Sequence, residues 1–372
     1  MLMSANPKAN YESHKKILKK TILDTLESGL YILGPRVDNF EKHFASYIGT
    51  NYSVGVANGT DAISLSLRAI GVVQGDYVVT VSQTAVATVA AIDWIGAHPI
   101  LVDIDPMTYT MDANKLEDTL KKSDIKRIKA VVVVHLYGHP AAIQDIRTVT
   151  ERYGLSLIED CAQAHGAMVN NIKVGGFGIC GAFSFYPTKN LGAMGDAGAI
   201  VTNNPDIMKK VKRLQQYGWN ERYISDEYGY NSRLDELQAA ILDCKIAWLD
   251  SCNKLRRKIA GIYQKNLFNL PIILPKEMNG FYHVYHQYAI RCSYQKDLQK
   301  FLRNNDVSAS ILYPVPVHLQ PGYRNRVIIG NGGLNNSEQI VNEILCLPIY
   351  PELKIVKVKK IINLIQEFYK NK

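Results

Sequence analysis

One lysine of the chain lies in a segment whose composition is unusual for a lysine. The segment FSFYPTKNLGAMGDAGAIVT, residues 183–202, places Lys189 between an aromatic, proline-containing stretch and a run of small residues. A short turn between two apolar strands would remove water from the amine and lower its pKa towards the range in which it acts as nucleophile and proton carrier. The alternative is an ordinary solvated loop lysine.

A pair of carboxylates ends an apolar segment about 29 residues before Lys189. In LIEDCAQAHGA, Glu159 and Asp160 follow apolar residues, and Gln163 comes three residues after Asp160. A carboxylate in such a place is costly unless a cation or several donors satisfy it. Three interpretations are open: a helix cap, an ion pair with an arginine, or a counter-charge for a protonated ring nitrogen, with Gln163 donating to an oxygen on the same ring.

A third polar stretch, VGVANGTDAISL, predicts a strand, a turn and then a helix. The backbone N–H groups of residues 59–61 then lie at a helix N-terminus, where unpaired donors and the helix dipole attract an anion. For this stretch alone, a helix cap formed by Thr60 or Asp61 is the simpler interpretation.

Alternating strand and helix patterns position these residues. The strand patterns DYVVTVS, HPILVDID, IKAVVVVHLYG and LSLIEDCAQAHG alternate with the helix patterns DAISLSLRAIG, TVAAIDWIGA, LEDTLKKS and IQDIRTVTERYG. Such an order predicts an α/β fold, with a mostly parallel sheet flanked by helices. Ligands of these sheets bind at the carboxyl ends of the strands. The polar residues expected to converge there are Asn58, Gly59, Thr60, Gln83, His135, Asp160, Gln163, Ser184 and Lys189.

The pattern changes after about residue 245, where a long charged helix pattern leads into short mixed elements. We therefore expect two domains. The large domain, with an N-terminal helical segment, would occupy residues 1–245, and a smaller C-terminal α/β domain would occupy residues 246–372.

Composition argues against several classes of protein. Hydrophobic residues make up 47% and charged residues 21%, without a run of roughly 20 apolar residues that would predict a membrane span. The N-terminus has no signal-peptide pattern, which predicts a cytoplasmic protein. The six cysteines have no paired spacing, which predicts reduced, buried thiols. The net charge of +9 is modest, and its lysines concentrate in predicted solvated helix faces at 14–20, 115–129 and 353–360, so nucleic-acid binding is not expected.

Four stretches, in this order, resemble the nucleotide-sugar aminotransferases of the DegT type, which belong to the fold-type I pyridoxal phosphate enzymes. They are ANGTDAISLSLRA, IEDCAQAHGA, FSFYPTKNLGAMGDAGAIVT and GYNSRLDELQAAIL. The similarity runs through nearly the whole chain, and it implies pyridoxal 5′-phosphate as cofactor and a homodimer with shared active sites. The segment FYPTKNLGA is most similar to the branch that aminates C3 of dTDP-3-keto-6-deoxyhexoses, whereas C4 aminases tend to carry FHPVK.

The resemblance also implies roles for single residues. Lys189 would bind the cofactor covalently and carry a proton, Asp160 would pair with the pyridinium nitrogen, and Gln163 would lie beside the ring oxygen. Many relatives place an aromatic residue that stacks on the ring where this chain has Ala85, so we expect the stacking from Gln83 or Val86. The implied phosphate ligands are Gly59, Thr60 and Ser184 of one subunit, together with Asn231 of the partner subunit. The implied residues for the sugar nucleotide are Tyr186, Tyr217, Arg222, Tyr313 and His318.

The expected reaction is transfer of an amino group from L-glutamate to C3 of a dTDP-linked 3-keto-6-deoxyhexose, in amino-sugar biosynthesis. Two alternatives are open. One is a C4 aminotransferase that acts on a UDP-linked 4-keto sugar. The other is a regulatory or binding protein that keeps the fold without catalysis.

Overall fold

The computed structural model describes residues 1–123 and 127–372. The helices within these residues are α1 (Pro7–Glu27), α2 (Pro35–Ile48), α3 (Gly59–Ala69), α4 (Val86–Trp94), α5 (Ala113–Lys122), α6 (Ile143–Arg152), α7 (Pro205–Leu214), α8 (Glu236–Leu267), α9 (Gln295–Asn304), α10 (Asn335–Ile340) and α11 (Ile355–Lys370). The strands are β1 (Tyr52–Val56), β2 (Tyr77–Val81), β3 (His98–Val102), β4 (Ile128–Val134), β5 (Ser156–Asp160), β6 (Met168–Val169), β7 (Ile172–Lys173), β8 (Cys180–Ser184), β9 (Gly198–Thr202), β10 (Trp219–Glu221), β11 (Ile224–Ser225), β12 (Phe281–Tyr282), β13 (Tyr288–Arg291), β14 (Ile328–Ile329) and β15 (Ile344–Leu347).

A large central sheet has the strand order β1-β9-β8-β5-β4-β2-β3-β14. Strand β9 is antiparallel to both of its neighbours, and the remaining neighbours pair in parallel. Apolar side chains from both faces of the sheet are buried in separate clusters, which is why the strand sequences are apolar at successive positions. The structure thus confirms the predicted α/β fold with a mostly parallel sheet.

Each predicted strand and helix of this alternation is present, but the strands end earlier than predicted, most of all β4 and β5. Strand β4 stops at Val134, and a short 3₁₀ turn, Leu136–Gly138, follows with Tyr137 at φ 58°. Strand β5 stops at Asp160. In both cases the polar residues at the sheet edge leave the ladder and turn towards neighbouring strand ends.

The lysine-rich and charged helix patterns also have counterparts in the structure. The predicted long charged helix is α8, which begins at Glu236 and ends at Leu267. Helix α5 ends at Lys122, and residues 124–126 of the lysine-rich segment 115–129 lie outside the described residues.

A separate hydrophobic cluster lies in the C-terminal part of the chain. It packs the antiparallel pair β13–β15 against α9, α11 and the second half of α8. Among its connections to the first part of the chain, the Leu2 backbone bonds to Asp306 and Ser308, and β14 joins the central sheet beside β3. Because α8 runs through residue 245, the two regions share a helix, and the domain boundary there stays a prediction.

Composition led to two expectations, one about membrane spans and one about the cysteines. Of the helices in residues 1–123 and 127–372, each is too short or too polar to span a bilayer. The six cysteines are free thiols. Four of them are buried as expected, but Cys244 and Cys252, both on α8, are only half-buried.

Candidate active site

The carboxyl ends of the central strands bring predicted site residues together. Asp160 is the last residue of β5 and Ser184 the last of β8, and these two strands are hydrogen-bonded neighbours. Asn58 comes shortly after β1, and a Cβ atom on Gly198, at the start of β9, would lie 2.4 Å from the Asn58 carbonyl oxygen. The ends of β1, β5 and β8 therefore meet at one sheet edge, as expected for a ligand site of a parallel α/β fold.

Lys189 lies on the turn between β8 and β9, where its backbone N–H donates to the Tyr186 carbonyl at 2.8 Å. Its side chain is half-buried. Burial penalises the charged form and lowers the pKa of the amine to about 8, while the Asp160 carboxylate acts in the opposite direction. The amine is therefore partly neutral near pH 8, the form in which it can attack a carbonyl carbon.

Asp160 is 5% exposed and has two hydrogen bonds within its own neighbourhood. Its Oδ2 atom accepts from Thr88 Oγ1 at 2.8 Å, and Oδ1 accepts from the Ala162 N–H at 3.1 Å. Burial raises the pKa of this carboxyl, whereas the two hydrogen bonds and Lys189 lower it. A protonated ring nitrogen placed here would carry a full positive charge and would thereby stabilise the carboxylate.

Gln163 lies three residues beyond Asp160 and joins two tyrosines. Its Oε1 atom accepts from the Tyr137 backbone N–H at 2.7 Å, and its Nε2 atom donates to the Tyr313 hydroxyl at 3.0 Å. Tyr313 comes from the C-terminal part of the chain, so the site includes residues from both regions. Sequence reasoning gave no signal for Tyr137, because neither its type nor its spacing marks it as a site residue.

Helix α3 begins at Gly59, so the backbone N–H groups of Gly59 and Thr60 belong to its first turn. The cap is Asn58, whose side chain accepts from the Asp61 N–H at 2.8 Å, and the suggestion that Thr60 or Asp61 forms the cap is wrong. A Cβ atom on Gly59 would lie 2.5 Å from Ser184 Cβ. Glycine is therefore required for this close approach, which places a helix N-terminus beside the Ser184 hydroxyl and provides donors for an anion.

Glu159 and Asp160 form two separate interactions rather than one acidic pair. Both Glu159 oxygens accept hydrogen bonds from backbone N–H groups at 2.7–2.8 Å, and Oε2 also lies 3.1 Å from His135 Nε2. The donors are Gly175, Phe177 and Gly178. Cys161 lies close enough to Glu159 and His135 to suggest a metal-binding triad, but the carboxylate is already satisfied by these donors.

Four of the predicted ligand residues are exposed on the single chain: Tyr186, Tyr217, Arg222 and Asn231. The Arg222 guanidinium lies 5.0 Å from the centre of the Tyr223 ring, and Tyr217 packs against Trp219. Asn231 pairs through its backbone with Gln216. These local contacts do not join the last three residues to Lys189 or Asp160.

His318 is buried, and both of its ring nitrogens have partners. Nδ1 lies 2.7 Å from Ser82 Oγ, and Nε2 lies 3.0 Å from a Glu338 carboxylate oxygen. A sugar hydroxyl would have to replace one of these two partners, so the predicted role of His318 in substrate binding stays a prediction.

The segment expected to pack against the cofactor ring connects β2 to α4. Ala85 is the N-cap residue of α4. Val86 is exposed, whereas Gln83 is fully buried and donates from Nε2 to the Tyr137 hydroxyl at 3.3 Å. Thr88, in the first turn of α4, carries the hydrogen bond to Asp160 and was not predicted.

These groups fit a small aromatic ligand with three chemical features. The start of α3 and Ser184 would bind a phosphate, Asp160 would face a basic ring nitrogen, and Lys189 would bond to an aldehyde carbon. Pyridoxal 5′-phosphate has all three features. The close approach at Gly59 supports this fit, because a larger residue there would fill the space beside Ser184.

Comparisons with known proteins agree with this assignment. The sequence profile of the DegT/DnrJ/EryC1/StrS aminotransferase family matches residues 12–366. The dTDP-3-amino-3,6-dideoxy-alpha-D-galactopyranose transaminase of Aneurinibacillus thermoaerophilus is 41% identical over 355 residues, covering 95% of this chain and 96% of the relative. A pleiotropic regulatory protein of Geobacillus stearothermophilus is 39% identical over 369 residues, covering 97% and 96%.

A solved structure gives the same result. The crystal structure of DesV from S. venezuelae, in complex with a ketimine intermediate, superposes with a TM-score of 0.94 at 37% identity and covers 99% of this chain and 98% of that chain. The chain therefore belongs to the DegT/DnrJ/EryC1/StrS aminotransferase family, whose members depend on pyridoxal phosphate.

Proposed function

We propose that this aminotransferase moves the amino group of L-glutamate to C3 of a dTDP-linked 3-keto-6-deoxyhexose, in the synthesis of an amino sugar. The observation that carries the proposal is the position of a half-buried amine with a pKa of about 8 beside a buried carboxylate at the sheet edge. The choice of C3 and of dTDP rests on the Aneurinibacillus relative, a dTDP-3-amino sugar transaminase.

Pyridoxal phosphate, when bound, supplies an electron-withdrawing ring that stabilises negative charge on the carbon from which a proton is removed. The chain contributes the groups around it. Lys189 holds the cofactor covalently and, once released, moves the proton between the reacting carbon atoms. Asp160 keeps the ring nitrogen protonated, Gln163 donates to the ring oxygen, and Gly59, Thr60 and Ser184 bind the phosphate.

The sugar nucleotide is proposed to contact Tyr186, Tyr217, Arg222, Tyr313 and His318. Tyr313 has the firmest support, because its hydroxyl accepts from Gln163, itself near Asp160. Tyr186 precedes the Lys189 turn and is exposed, which leaves its ring available to a ligand.

We also propose that the chain works as a homodimer in the cytoplasm, with Asn231 completing the phosphate site of the other subunit. The loop at residues 30–33 supports the dimer. Its side chains Leu30, Tyr31, Ile32 and Leu33 are large, apolar and exposed. Such exposed apolar patches are typical of interfaces. Free thiols agree with a reducing compartment.

An assay of the purified protein with L-glutamate and a panel of keto sugars tests the reaction. We expect amination at C3 of the dTDP-linked 3-keto sugar and loss of turnover in Lys189→Ala. Amination only at C4 of a UDP-linked 4-keto sugar would replace the C3 assignment. A regulatory protein without catalysis is the second candidate, because the Geobacillus relative is named a pleiotropic regulatory protein. Absence of turnover with every sugar would favour it.

Borohydride reduction of the cofactor-loaded protein tests the amine independently of the substrate. We expect mass spectrometry to locate the label on Lys189. Lys245 is the internal control, since burial also lowers the pKa of its amine to about 8 and it donates to the Gly192 carbonyl at 2.7 Å. A label on Lys245 would overturn the assignment, and Lys245→Met should still be labelled at Lys189.

A further inference from the structure

Tyr137 is a buried residue with an unusual backbone conformation. It follows β4, is 2% exposed, and has φ 58° although it is not glycine. A non-glycine residue in the left-handed region costs on the order of 1 kcal/mol, so such residues are kept where the surrounding contacts require them. At Tyr137 the contacts are hydrogen bonds to several different elements.

Each polar group of Tyr137 has a partner. Its N–H donates to Gln163 Oε1 at 2.7 Å, and its carbonyl accepts from the Gln287 N–H at 3.1 Å. Its hydroxyl donates to the Leu312 carbonyl and accepts from Gln83 Nε2 at 3.3 Å. Tyr137 therefore connects the ends of β2, β4 and β5 with the C-terminal segment.

The direction of the hydrogen bond between Tyr137 and Gln83 follows from the single hydrogen of the Tyr137 hydroxyl. The Leu312 carbonyl can only accept, so the single hydroxyl hydrogen of Tyr137 is used there. Gln83 must then present its NH₂ group to the Tyr137 oxygen, and its carbonyl Oε1 faces away. That Oε1 atom is buried and has no hydrogen-bond partner among the described residues. A buried unpaired carbonyl is costly until a donor reaches it.

The same reasoning fixes Gln163 and Tyr313. The Tyr137 N–H can only donate, so Gln163 must present Oε1 to it and Nε2 to the Tyr313 hydroxyl. The Tyr313 oxygen accepts this bond, which leaves the hydroxyl hydrogen of Tyr313 to be donated elsewhere. One NH₂ hydrogen of Gln163 is also left.

We propose that Tyr137 is a positioning residue that fixes the hydrogen-bond direction of Gln83 and Gln163, so that Gln83 Oε1 accepts from, and the Tyr313 hydroxyl donates to, hydroxyl groups of the bound sugar. This inference rests on the proposed function, since it assigns the ligand as the keto sugar. It makes Gln83 an acceptor for one sugar hydroxyl and Tyr137 the residue that determines this role.

The test compares Tyr137→Phe, Gln83→Met and the double variant with the wild type. In Tyr137→Phe the ring stays, but Gln83 can turn its amide and the Leu312 carbonyl loses its donor. We expect KM for the keto sugar to rise about tenfold in each single variant, with the glutamate half-reaction within about twofold of wild type. Because both changes act through one group, the double variant should show little more than the effect of Gln83→Met alone.

Tyr109→Phe is the matched control. Tyr109 is also a buried tyrosine with positive φ, and its ring contacts that of Tyr137 with 5.8 Å between the centres. We expect its KM for the sugar to remain within about twofold of wild type, because loss of a hydroxyl outside the chain of bonds leaves the amides in place.

Calorimetric titration with the dTDP-3-amino sugar product provides a readout that does not depend on turnover. We expect the dissociation constant to rise about tenfold in Tyr137→Phe. Binding equal to wild type, full additivity in the double variant, or no binding by the wild type would each overturn the inference. Wild-type binding without turnover would refute the proposed function and leave the inference to be decided by the variants.

Discussion

Lys189 combines covalent reactivity with a lowered pKa, and pH separates these two properties. Only the neutral amine attacks an aldehyde, and burial lowers its pKa from 10.5 to about 8. The neutral fraction therefore rises with pH and is nearly complete well above pH 8. We expect the rate of covalent attachment of pyridoxal phosphate to the apoprotein, followed by absorbance, to be half-maximal near pH 8 and to level off about one pH unit higher.

Two variants test whether this pH profile belongs to Lys189. Lys189→Ala should abolish the covalent attachment, whereas Lys245→Met should keep the midpoint near pH 8. A rate that continues to rise towards pH 10.5 would show that the reacting lysine is an ordinary solvated one.

Asp160 is the proposed counter-charge of the ring nitrogen, and an amide in its place tests that role. Asp160→Asn keeps the size of the side chain but removes the charge that would hold the ring nitrogen protonated. We expect the turnover rate to fall about 100-fold, the size of effect seen when one preorganised electrostatic group is removed from an active site. The measurement is kcat in the steady state, and a rate near that of wild type would contradict the role.

Thr88→Val is a milder change at the same carboxylate, for comparison with Asp160→Asn. It removes the hydrogen bond to Oδ2 but keeps the carboxylate. Since this bond lowers the pKa of Asp160, its loss raises that pKa further. The effect on kcat should be about tenfold, smaller than that of Asp160→Asn, because one hydrogen bond is lost while the carboxylate stays in place.

The resemblance to the aminotransferases implied the roles of Lys189, Asp160 and Gln163. Residue type and position marked Lys189 and Asp160 as unusual, but alone they left a solvated lysine, a helix cap and an ion pair as alternatives. Thr88 and Tyr137 could not be predicted in this way. Threonine and tyrosine are ordinary residues there, and their importance comes from which atoms of other strand ends they face. The direction of an amide group, as at Gln83, depends on hydrogen counts that only the assembled structure provides.

The end of strand β5 serves two purposes. Neighbouring side chains in a strand point to opposite faces, so Asp160 faces the site while Glu159 faces the loop at 175–178. Three backbone N–H groups and the imidazole of His135 donate to Glu159. The Ala141 N–H donates to His135 Nδ1 at 2.9 Å, which leaves Nε2 as the ring nitrogen that carries the hydrogen.

Glu159→Gln should therefore destabilise the fold. An amide NH₂ in place of one oxygen leaves two donors facing it unpaired, and we expect the free energy of unfolding to fall by about 3 kcal/mol. Urea denaturation of the apoprotein measures it. Glu151→Gln is the control, because that carboxylate is exposed, pairs with Arg147 one helical turn away, and should show no measurable change. Equal midpoints for both variants would contradict the argument.

Periodicity predicted the elements around the site because long apolar strands alternate with amphipathic helices. It failed for β14, a strand of two residues, Ile328–Ile329, which joins the central sheet beside β3. So short a strand has no period of its own, and its position depends on β3 offering a free edge. Periodicity also missed the end of β4 at Val134, because the residues of the following turn, Leu136 and Tyr137, are apolar and buried like those of the strand.

The whole molecule exposes apolar side chains near residues that were predicted to serve another subunit. Tyr223 and Tyr228 are 72% and 77% exposed, in the same segment as Asn231. The loop at 30–33 lies against the end of this segment, where the Glu236 N–H donates to the Tyr31 carbonyl at 3.0 Å. The proposed two-fold dimer would cover this surface, and the proposed role of Asn231 requires that it reach the site of the partner subunit.

A mixing experiment tests whether the sites are shared. Lys189→Ala and Asn231→Ala should each have little activity alone, because one lacks the amine and the other a phosphate ligand. In a mixed dimer one site has both residues intact and the other has neither, so a fully exchanged equal mixture should recover about a quarter of wild-type activity. Light scattering would establish that the mixture is dimeric. If each site used Asn231 of its own chain, mixing would restore nothing, and if Asn231→Ala were fully active alone, Asn231 would have no part in phosphate binding.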